Sequence, residues 1–220
     1  MDIRLGLISA YSFLYGVHKP EALLDKAVSF GVKTVSICDI NNLYGLHSFL
    51  EAAKERNIRA VIGATLSWDF PTSCRLYCFA ENRSGFSRLC QILSIRSEIF
   101  STRNKDTKNF NPVELLLENS SGLVLASTSS FVLTELAGNV KHLYKAITPD
   151  DLGGLGFNSS HNLPLCFLDT SAFLQKSDLS IHKTLRAIGL NKTIGSLAPS
   201  DTIPEGKCIF KSSTELAGIF

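Results

Sequence analysis

The residues that could carry out chemistry are few and lie far apart along the chain. The five histidines stand singly, and none has metal-ligand spacing to another: His18, His47, His142, His161 and His182. The chain contains no Gly-x-Ser-x-Gly elbow, Walker loop or Gly-x-Gly-x-x-Gly fingerprint. The glycine-rich segment Gly153–Gly156 lacks the preceding strand and following helix that a phosphate-binding loop needs. These motifs alone therefore indicate neither a nucleophile nor a nucleotide-binding loop.

The six cysteines indicate a reducing compartment. A domain of 220 residues can bury a core without disulfides. Cys74 and Cys78 have the spacing of half a zinc site, but no second pair with ligand spacing follows them. We therefore interpret all six as small hydrophobic residues and expect a cytoplasmic protein.

Composition excludes several classes of protein. Hydrophobic residues make up 45% of the chain and charged residues 19%, which favours one large folded domain over disorder. The net charge of +2 provides no general attraction to nucleic acid. Residues 83–108 carry six basic against two acidic side chains, which we interpret as a solvated helix face and loop, with a DNA or partner contact as the alternative. No apolar run is long enough to cross a membrane.

The first third of the chain contains two copies of one helix-cap-strand unit. A helix begins at Pro20, Gly31 is its left-handed cap, and the β-branched strand Thr34–Cys38 follows. In the second copy a helix ends at the cap Asn57 and leads into the strand Arg59–Ile62. This alternation predicts parallel strands with helices packed outside them.

Hydrophobic periodicity predicts elements in most of the remaining chain, but not in all of it. Further strands are predicted at Leu5–Ile8, Leu76–Ala80, Leu123–Ala126 and Leu163–Leu168, and further helices at Ser84–Ile99, Pro112–Leu117, Val132–Ala137 and Ser180–Leu190. The polar segment Ser101–Asn111 is predicted to be a loop. Residues 139–162 contain two glycine-rich turns and too little periodicity for an assignment.

Three segments resemble the beginning of a PHP domain, the polymerase and histidinol phosphatase family. They are LGLISAYSFLYG at Leu5–Gly16, SICDINNLYG at Ser36–Gly45 and AVIGAT at Ala60–Thr65. In that family the first strand ends His-x-His-Ser, the second ends Asp-His, and the third ends Gly-Ala-Glu. These residues hold a cluster of metal ions for phosphoester hydrolysis.

The resemblance places most of the metal ligands on residues that cannot bind a metal. The ligand positions fall on Gly6, Ile8, Asp39, Ile40, Thr65, Thr170 and Ala172, and a shift of one residue in the late strand would substitute Asp169 and Ser171 for the last two. Asp39 is the one carboxylate that both alignments retain. The resemblance therefore implies no catalytic residue, no bound metal and no cofactor, with the seven positions as a degenerate metal site.

The end of the chain resembles bacterial DNA polymerase III alpha subunits in particular. Four features occur in the same order as in those subunits. They are a late strand, the phrase Asp178…His182…Leu185, the turn Lys192-Thr193-Ile194 and a closing Lys-Ser…Glu-Leu…Phe. The resemblance implies a single PHP domain over residues 1–220 that continues into polymerase domains beyond residue 220.

The fold implied by this resemblance is α/β, a distorted (β/α)7 barrel of TIM type. The segment between Ala126 and Leu163 is shorter than in the polymerase family. One strand-helix unit can therefore be missing on that side of the barrel.

Two local hypotheses concern the degenerate site. Asp39 is either a residual metal ligand or, as we favour, a cap of the turn Ile40–Asn42. Ser9, Tyr11, Ser12 and Tyr15 could line a polar pocket, and we expect that pocket to collapse around Ile8 and Ile40, which would be buried together. On the late helix, Asp178 lies four residues before His182 and is expected to pair with it.

Three functional hypotheses follow. In the first, the chain is a catalytically silent scaffold of a bacterial replicative polymerase, which braces the polymerase core, docks the proofreading exonuclease subunit and meets DNA only through the parent protein. The parent would be a nucleotidyltransferase, whereas this part would lack that chemistry. The alternative is a metal-dependent phosphoesterase with replacement ligands, acting on pyrophosphate, a phosphomonoester or a 3′ nucleotide end. The third hypothesis is a free-standing regulatory protein.

Overall fold

The computed structural model describes residues 3–68, 74–101, 110–149 and 162–218. Its first part follows the predicted alternation, with strand β1 (Ile3–Leu7), helix α1 (Pro20–Ser29), strand β2 (Thr34–Ile37), helix α2 (Leu46–Glu55) and strand β3 (Arg59–Ala60). β1 pairs with β2 and β2 pairs with β3, both in parallel register. The predicted parallel arrangement of the first three strands is therefore confirmed.

The caps between these elements form as the local sequence predicts. Pro20 occupies the first turn of α1, where its missing N–H costs nothing. Gly31 has a φ of 72° and Asn57 a φ of 53°, the left-handed conformation that ends a helix. The next residue in each unit, Val32 or Ile58, donates its N–H back to a helix carbonyl and is buried. Both helices are thus terminated by the same device.

The rest of the chain adds five strands and five helices to the part that the structure describes. They are β4 (Gly63–Trp68), β5 (Cys74–Ala80), α3 (Arg83–Ser101), α4 (Pro112–Glu118), β6 (Leu123–Ser127), α5 (Ser130–Leu136), β7 (Leu143–Ile147), β8 (Leu165–Phe167), α6 (Asp178–Leu190) and α7 (Ser213–Ala217). Two short 3₁₀ turns, Ile194–Ser196 and Pro199–Asp201, lie between α6 and α7.

The strands form two sheets, and not all of them are parallel. One sheet has the order β1-β2-β3 and the other β4-β5-β6-β7-β8. β5 runs antiparallel to both β4 and β6, whereas β6, β7 and β8 are parallel. The TIM-type barrel implied by the family resemblance would have parallel strands only, and β5 departs from that arrangement. Only residues 69–73 separate β4 from β5, too few for the crossover of about a dozen residues that parallel pairing requires.

Backbone hydrogen bonds connect the two sheets on both sides. Thr65 in β4 donates its N–H to Asp39 just after β2, at 3.1 Å. After β8, the N–H of Asp169 donates to Leu5 at 2.8 Å, and the N–H of Ile8 donates to Ser171 at 3.0 Å. The described residues therefore form a mixed α/β fold in which the ends of the two sheets lie side by side.

Apolar side chains fill both faces of the sheets. Helices α1 and α2 cover the small sheet, and α3, α4 and α5 cover the large one. A third group, which we call the inner cluster, lies between the sheets and consists of Cys38, Tyr77, Phe79, Ala126, Ala146 and Leu168. Because the strands alternate their side chains, each sheet contributes to the inner cluster with one face and to the helix layer with the other.

Two strands were not predicted from the sequence. β4 begins where the predicted strand Arg59–Ile62 was expected to end, and β7 lies in the stretch 139–162 that received no assignment. Residues 150–161, including Gly153–Gly156 and His161, lie outside the described residues, as do residues 102–109 of the predicted polar loop. No helix in the described ranges is long and apolar enough to cross a membrane.

Candidate functional site

The predicted degenerate site lies where β1 and β2 end. Parallel pairing brings Ser9 and Asp39, each two residues beyond its strand, to the same edge of the sheet. Asp39 Oδ1 accepts hydrogen bonds from the N–H of Ser9 at 2.9 Å and from Ser12 Oγ at 2.7 Å. Oδ2 accepts one from Ser9 Oγ at 2.7 Å. The loop after β1 therefore supplies donors to both carboxylate oxygens.

Asp39 is 5% exposed, and its surroundings are protein rather than solvent. Burial raises the pKa of Asp39, and the hydrogen bonds from Ser12 and Ser9 act in the opposite direction. The expectation that Asp39 caps its own turn is wrong. Ser12 Oγ accepts the N–H of Ile40 at 3.0 Å, and the side chain of Asn42 accepts the N–H of Tyr44 at 3.0 Å. The turn is held by these polar groups, which leaves Asp39 to bind the first loop.

Gly6, the first of the predicted vestigial positions, forms a bulge in β1. The pairing register shifts between Leu5 and Leu7, and Gly6 has a φ of 99°. A residue with a Cβ rarely adopts this conformation, whereas glycine adopts it freely. The bulge also interrupts the alternation that would direct residues 6 and 8 to one side. A histidine at this position would therefore meet backbone strain before it could reach a metal.

Ile8 and Ile40 are not buried together. Ile8 is 2% exposed and packs with Ala172, Phe173 and Ile203. Ile40 is half-buried and lines a surface pocket instead. The expected burial of Ile8 is confirmed and that of Ile40 is wrong, because the segment after β8 packs against the end of β1 and takes the place expected for Ile40.

Thr65, at the position of the family's glutamate, connects strands. Its Oγ1 donates to the carbonyl of Cys38 at 2.9 Å, and its own carbonyl accepts the N–H of Asn41 at 2.7 Å. Thr65 is buried. Its hydroxyl is therefore used to join β4 to the end of β2.

The late-strand positions are buried beside β1. Thr170 and Ala172 are both buried, and the N–H of Ala172 donates to the carbonyl of Cys208. In the shifted register, Asp169 accepts hydrogen bonds from the side chain and N–H of Ser171. Arg4 Nε lies 3.3 Å from Asp169 Oδ2, within ion-pair distance but outside hydrogen-bond geometry. Burial raises the pKa of Asp169, against the hydrogen bonds from Ser171 and the charge of Arg4.

A pocket of about 300 Å³ remains open beside this network, so the expected collapse did not occur at the surface. Phe13 and Tyr44 flank it, each 65% exposed, with ring centroids 5.6 Å apart. Arg96 and Arg186 also line it. Aromatic faces and guanidinium groups can hold planar or anionic groups.

Tyr15 organises the basic side of this pocket. The guanidinium carbons of Arg75 and Arg186 each lie 5.6 Å from the Tyr15 ring centroid, and Arg75 Nη2 donates to the Tyr15 hydroxyl at 3.3 Å. Tyr11, by contrast, bonds to Ser48 through their hydroxyls at 3.2 Å. The four residues predicted to line one polar pocket are thus divided between the Asp39 network, the helix α2 surface and the basic pocket.

His182 and Asp178 do not pair with each other. His182 is fully buried, with Nδ1 2.7 Å from the carbonyl of Tyr15 and Nε2 accepting the N–H of Ile203 at 3.1 Å. These partners fit the neutral ring, and burial lowers the pKa of His182. Asp178 Oδ2 instead lies 2.7 Å from His18 Nε2. The expected pair is wrong because the loop before α1 approaches the start of α6.

Hydrogen bonds hold Asp178 in its charged form. Its Oδ2 accepts the N–H groups of Leu174 and Gln175 at 2.8 and 3.0 Å. Burial alone would raise the pKa of Asp178, but the bonds from His18, Gln175 and Leu174 lower it below its ordinary value. Both residues therefore have structural partners that account for their placement.

Within the described ranges, no three His, Cys, Asp or Glu side chains lie close enough to share a metal ion. All six cysteines are free thiols, and both Cys74 and Cys78 pack in the core beneath α3. The absence of catalytic and metal-binding residues, and the seven vestigial positions, remain predictions.

The arginines of the basic pocket are not predicted from the motifs of the sequence. A signal was available, because Arg96 lies on the apolar side of the predicted helix Ser84–Ile99, and Arg186 follows His182 by four residues on α6. A cation at a position that should be buried indicates an aromatic or anionic partner.

Comparison with known proteins identifies the family. Residues 5–154 match the PHP domain. The chain is 26% identical over 215 residues to the DNA polymerase III subunit alpha of Buchnera aphidicola subsp. Schizaphis graminum, a match that covers 84% of the chain and 18% of that subunit. It is 48% identical over 59 residues to the error-prone DNA polymerase of Nocardia farcinica, covering 27% of the chain and 5% of that polymerase.

A solved structure has the same fold. It is a proposed metal-dependent phosphoesterase from Bifidobacterium adolescentis, with a TM-score of 0.50 and 11% identity, and the likeness covers 77% of this chain and 87% of that one. At this identity the likeness concerns the fold alone. The family match over residues 5–154, more than half of the chain, shows that the chain belongs to the PHP domain family.

Proposed function

We propose that this chain is a catalytically silent PHP scaffold of a bacterial DNA polymerase III alpha subunit, and that it takes part in DNA replication. In this proposal it binds no metal or other cofactor, braces the polymerase core and docks the proofreading exonuclease subunit. DNA is contacted through the parent protein, in the cytoplasm. The match covers 18% of the Buchnera subunit, so the activity and partners of that whole subunit enter here only as part of the proposal.

One observation carries the proposal. Asp39, the one carboxylate common to both alignments of the ligand positions, is buried and accepts three hydrogen bonds from Ser9 and Ser12. A metal could take its oxygens only if these donors lost their partner, and unpaired buried donors are costly. The same carboxylate joins the loop after β1 to the end of β2, which is a structural task.

We also propose that the two sheets form one distorted barrel of the PHP type. The support is the hydrogen bonding on both sides, from Asp169 to Leu5 and from Thr65 to Asp39. A barrel of this kind places functional groups at the carboxyl ends of its parallel strands. The eight strands would then count as the expected seven if β3 and β4, separated by residues 61–62, act as one bent strand.

The docking proposal is tested by calorimetric titration of the purified chain with the proofreading exonuclease subunit of the same organism. The proposal predicts saturable binding of one exonuclease per chain, in the presence of a chelator as well as without it. Binding that requires added metal, or no binding at micromolar concentrations of both proteins, would contradict the scaffold role.

The phosphoesterase alternative makes the opposite prediction. Replacement ligands would give turnover of pyrophosphate, a phosphomonoester or a 3′ nucleotide end that increases with bound metal. One observation favours testing the phosphoesterase alternative. The basic pocket beside Asp39 contains Arg96 and Arg186, which could neutralise phosphate charge.

A further inference from the structure

A larger cavity, of about 810 Å³, lies at the opposite end of the fold. It opens between the two sheets at the amino ends of β1, β2, β6 and β7. Phe79 and Ala126 of the inner cluster form part of its wall, together with Leu5 and Val124. The cavity is therefore distinct from the degenerate site, which lies beyond the inner cluster at the carboxyl ends.

Small side chains leave this space open. Ala80, Ala126 and Cys166 occupy wall positions where the interior of a barrel is usually filled by bulky branched residues. Protein interiors do not retain large empty spaces, because the lining atoms lose their contacts. Water would find few partners on walls that are mainly apolar. These walls are therefore suited to an apolar ligand group.

The rim of the cavity is basic. Arg59 in β3 and Arg83 at the start of α3 both line it, and Glu81 contributes one carboxylate against these two cations. Among the described residues, neither arginine forms an ion pair. The Arg88 side chain on the same helix, in contrast, bonds to the carbonyls of Leu115 and Asn119. The two rim guanidinium groups are free to bind an anion.

We propose that this cavity binds a small amphipathic carboxylate. The hydrocarbon part lies between the sheets, against Leu5, Phe79 and Val124, and the carboxylate bonds to Arg59 and Arg83. Ligand pockets with mainly apolar walls and a few polar anchoring groups have volumes of about 300–1,000 Å³, a range that includes this cavity. The apolar walls favour a ligand with a hydrocarbon part, and the excess of cations at the rim favours a negatively charged head group on that ligand.

The test uses two probes with the same tail and opposite charge, dodecanoate and dodecyltrimethylammonium, below their micellar concentrations. Calorimetric titration of the full chain should show saturable binding of dodecanoate and none of the ammonium compound. Alkylation by iodoacetamide gives a second signal, because Cys166 lines the cavity whereas Cys90, also half-buried, lies on α3 outside it. Dodecanoate should slow the labelling of Cys166 and leave that of Cys90 unchanged.

Variants of the protein distinguish the contribution of the ligand's carboxylate to binding from that of its hydrocarbon part. Arg59→Glu combined with Arg83→Glu should weaken dodecanoate binding about tenfold or more, because charge-assisted hydrogen bonds are lost. Lys54→Glu, on the exposed face of α2, should bind like the wild type. Val124→Phe should abolish binding by filling the cavity, and a cooperative thermal transition verifies that this variant is folded. Equal binding of both probes, unprotected Cys166 or undiminished binding by the double arginine variant would overturn the proposal.

Discussion

The two ends of the space between the sheets differ in polarity and in open volume. At the carboxyl end, polar groups are abundant, but Asp39, Ser9 and Ser12 bond to one another and Ile8 is packed against Ala172. At the amino end the walls are mainly apolar, the space is open, and the two arginines at its rim have no ion-pair partner among the described residues. The Asp39 carboxylate is thus satisfied by protein donors, whereas the amino end combines the larger open volume with two arginines outside any ion pair of the described residues.

This difference shows what a buried carboxylate requires of its surroundings. A buried carboxylate needs hydrogen-bond donors, since leaving it unpaired would cost several kcal/mol of the folding free energy. The loop after β1 provides those donors and closes over the end of β2. An apolar cavity with an open mouth has no comparable requirement, so small residues such as Ala126 can remain there. The comparison predicts different sensitivity to mutation at the two ends.

The largest effect is expected at Ile8. Ile8→Ala should lower the free energy of unfolding by ~2–5 kcal/mol, because it leaves a cavity among Ala172, Phe173 and Ile203. Ile40→Ala, at a half-buried position, should cost only about 1 kcal/mol. Chemical denaturation of both variants measures the difference. Equal losses would show that the two isoleucines share one environment, contrary to the structure.

Removal of the Asp39 carboxylate should have the next largest effect. Asp39→Ala leaves three buried donors on Ser9 and Ser12 without an acceptor and should cost ~1–3 kcal/mol. Asp25→Ala is the control, since Asp25 pairs with Arg56 on an exposed surface and should cost ~0–1 kcal/mol. An Asp39→Ala variant as stable as the wild type would remove the structural role assigned to this carboxylate.

The bulge at Gly6 should be sensitive to any side chain. Gly6→Ala should cost ~1–2 kcal/mol, because its φ of 99° is unfavourable for a residue with a Cβ. Gly195→Ala should have little effect, because the backbone there is outside that region and the added methyl group would meet no atom within 4 Å. The same strain predicts that Gly6→His does not restore metal binding. A fully stable Gly6→His variant that binds manganese would contradict this account.

The smallest expected effect is a pH dependence caused by His182. Burial lowers the pKa of His182 in the folded state below its ordinary value of 6.5, so the unfolded chain binds a proton first as the pH falls. The stability contribution is therefore complete above about pH 6.5 and decreases as the pH falls through the folded-state pKa. His182→Gln should remove this part of the pH profile of unfolding. An unchanged profile in that variant would assign the dependence to another group.

The sequence predicts those parts of the fold that depend on residues close to one another along the chain. Pro20, Gly31 and Asn57 determine where helices begin and end, and the structure has these caps at the predicted positions. The direction of β5 was not predictable from its own composition, because pairing direction depends on the length of the connection and on distant strands. β7 was missed for a similar reason, since its short sequence LYKAI has no strong alternation.

The candidate site shows the same limit. The family resemblance singles out Asp39 and the predicted vestigial positions around it, but it does not predict their hydrogen-bond partners. The donors of Asp39 lie about thirty residues earlier, and His18 reaches Asp178 from 160 residues away. Such contacts follow from how the loops cross the strand ends, which local periodicity does not encode. The two arginines at the Tyr15 ring come from distant elements in the same way, Arg75 from β5 and Arg186 from α6.

The most direct test of the scaffold proposal is the metal content of the chain together with its hydrolytic activity. The protein is dialysed with manganese or zinc, freed of unbound metal, analysed for metal per chain and assayed on pyrophosphate and on nucleotide 3′ ends. The proposal predicts far less than one metal ion per chain and no turnover, in the wild type and in Asp39→Ala alike. Turnover that increases with bound metal and disappears in Asp39→Ala would contradict the proposal and establish a phosphoesterase.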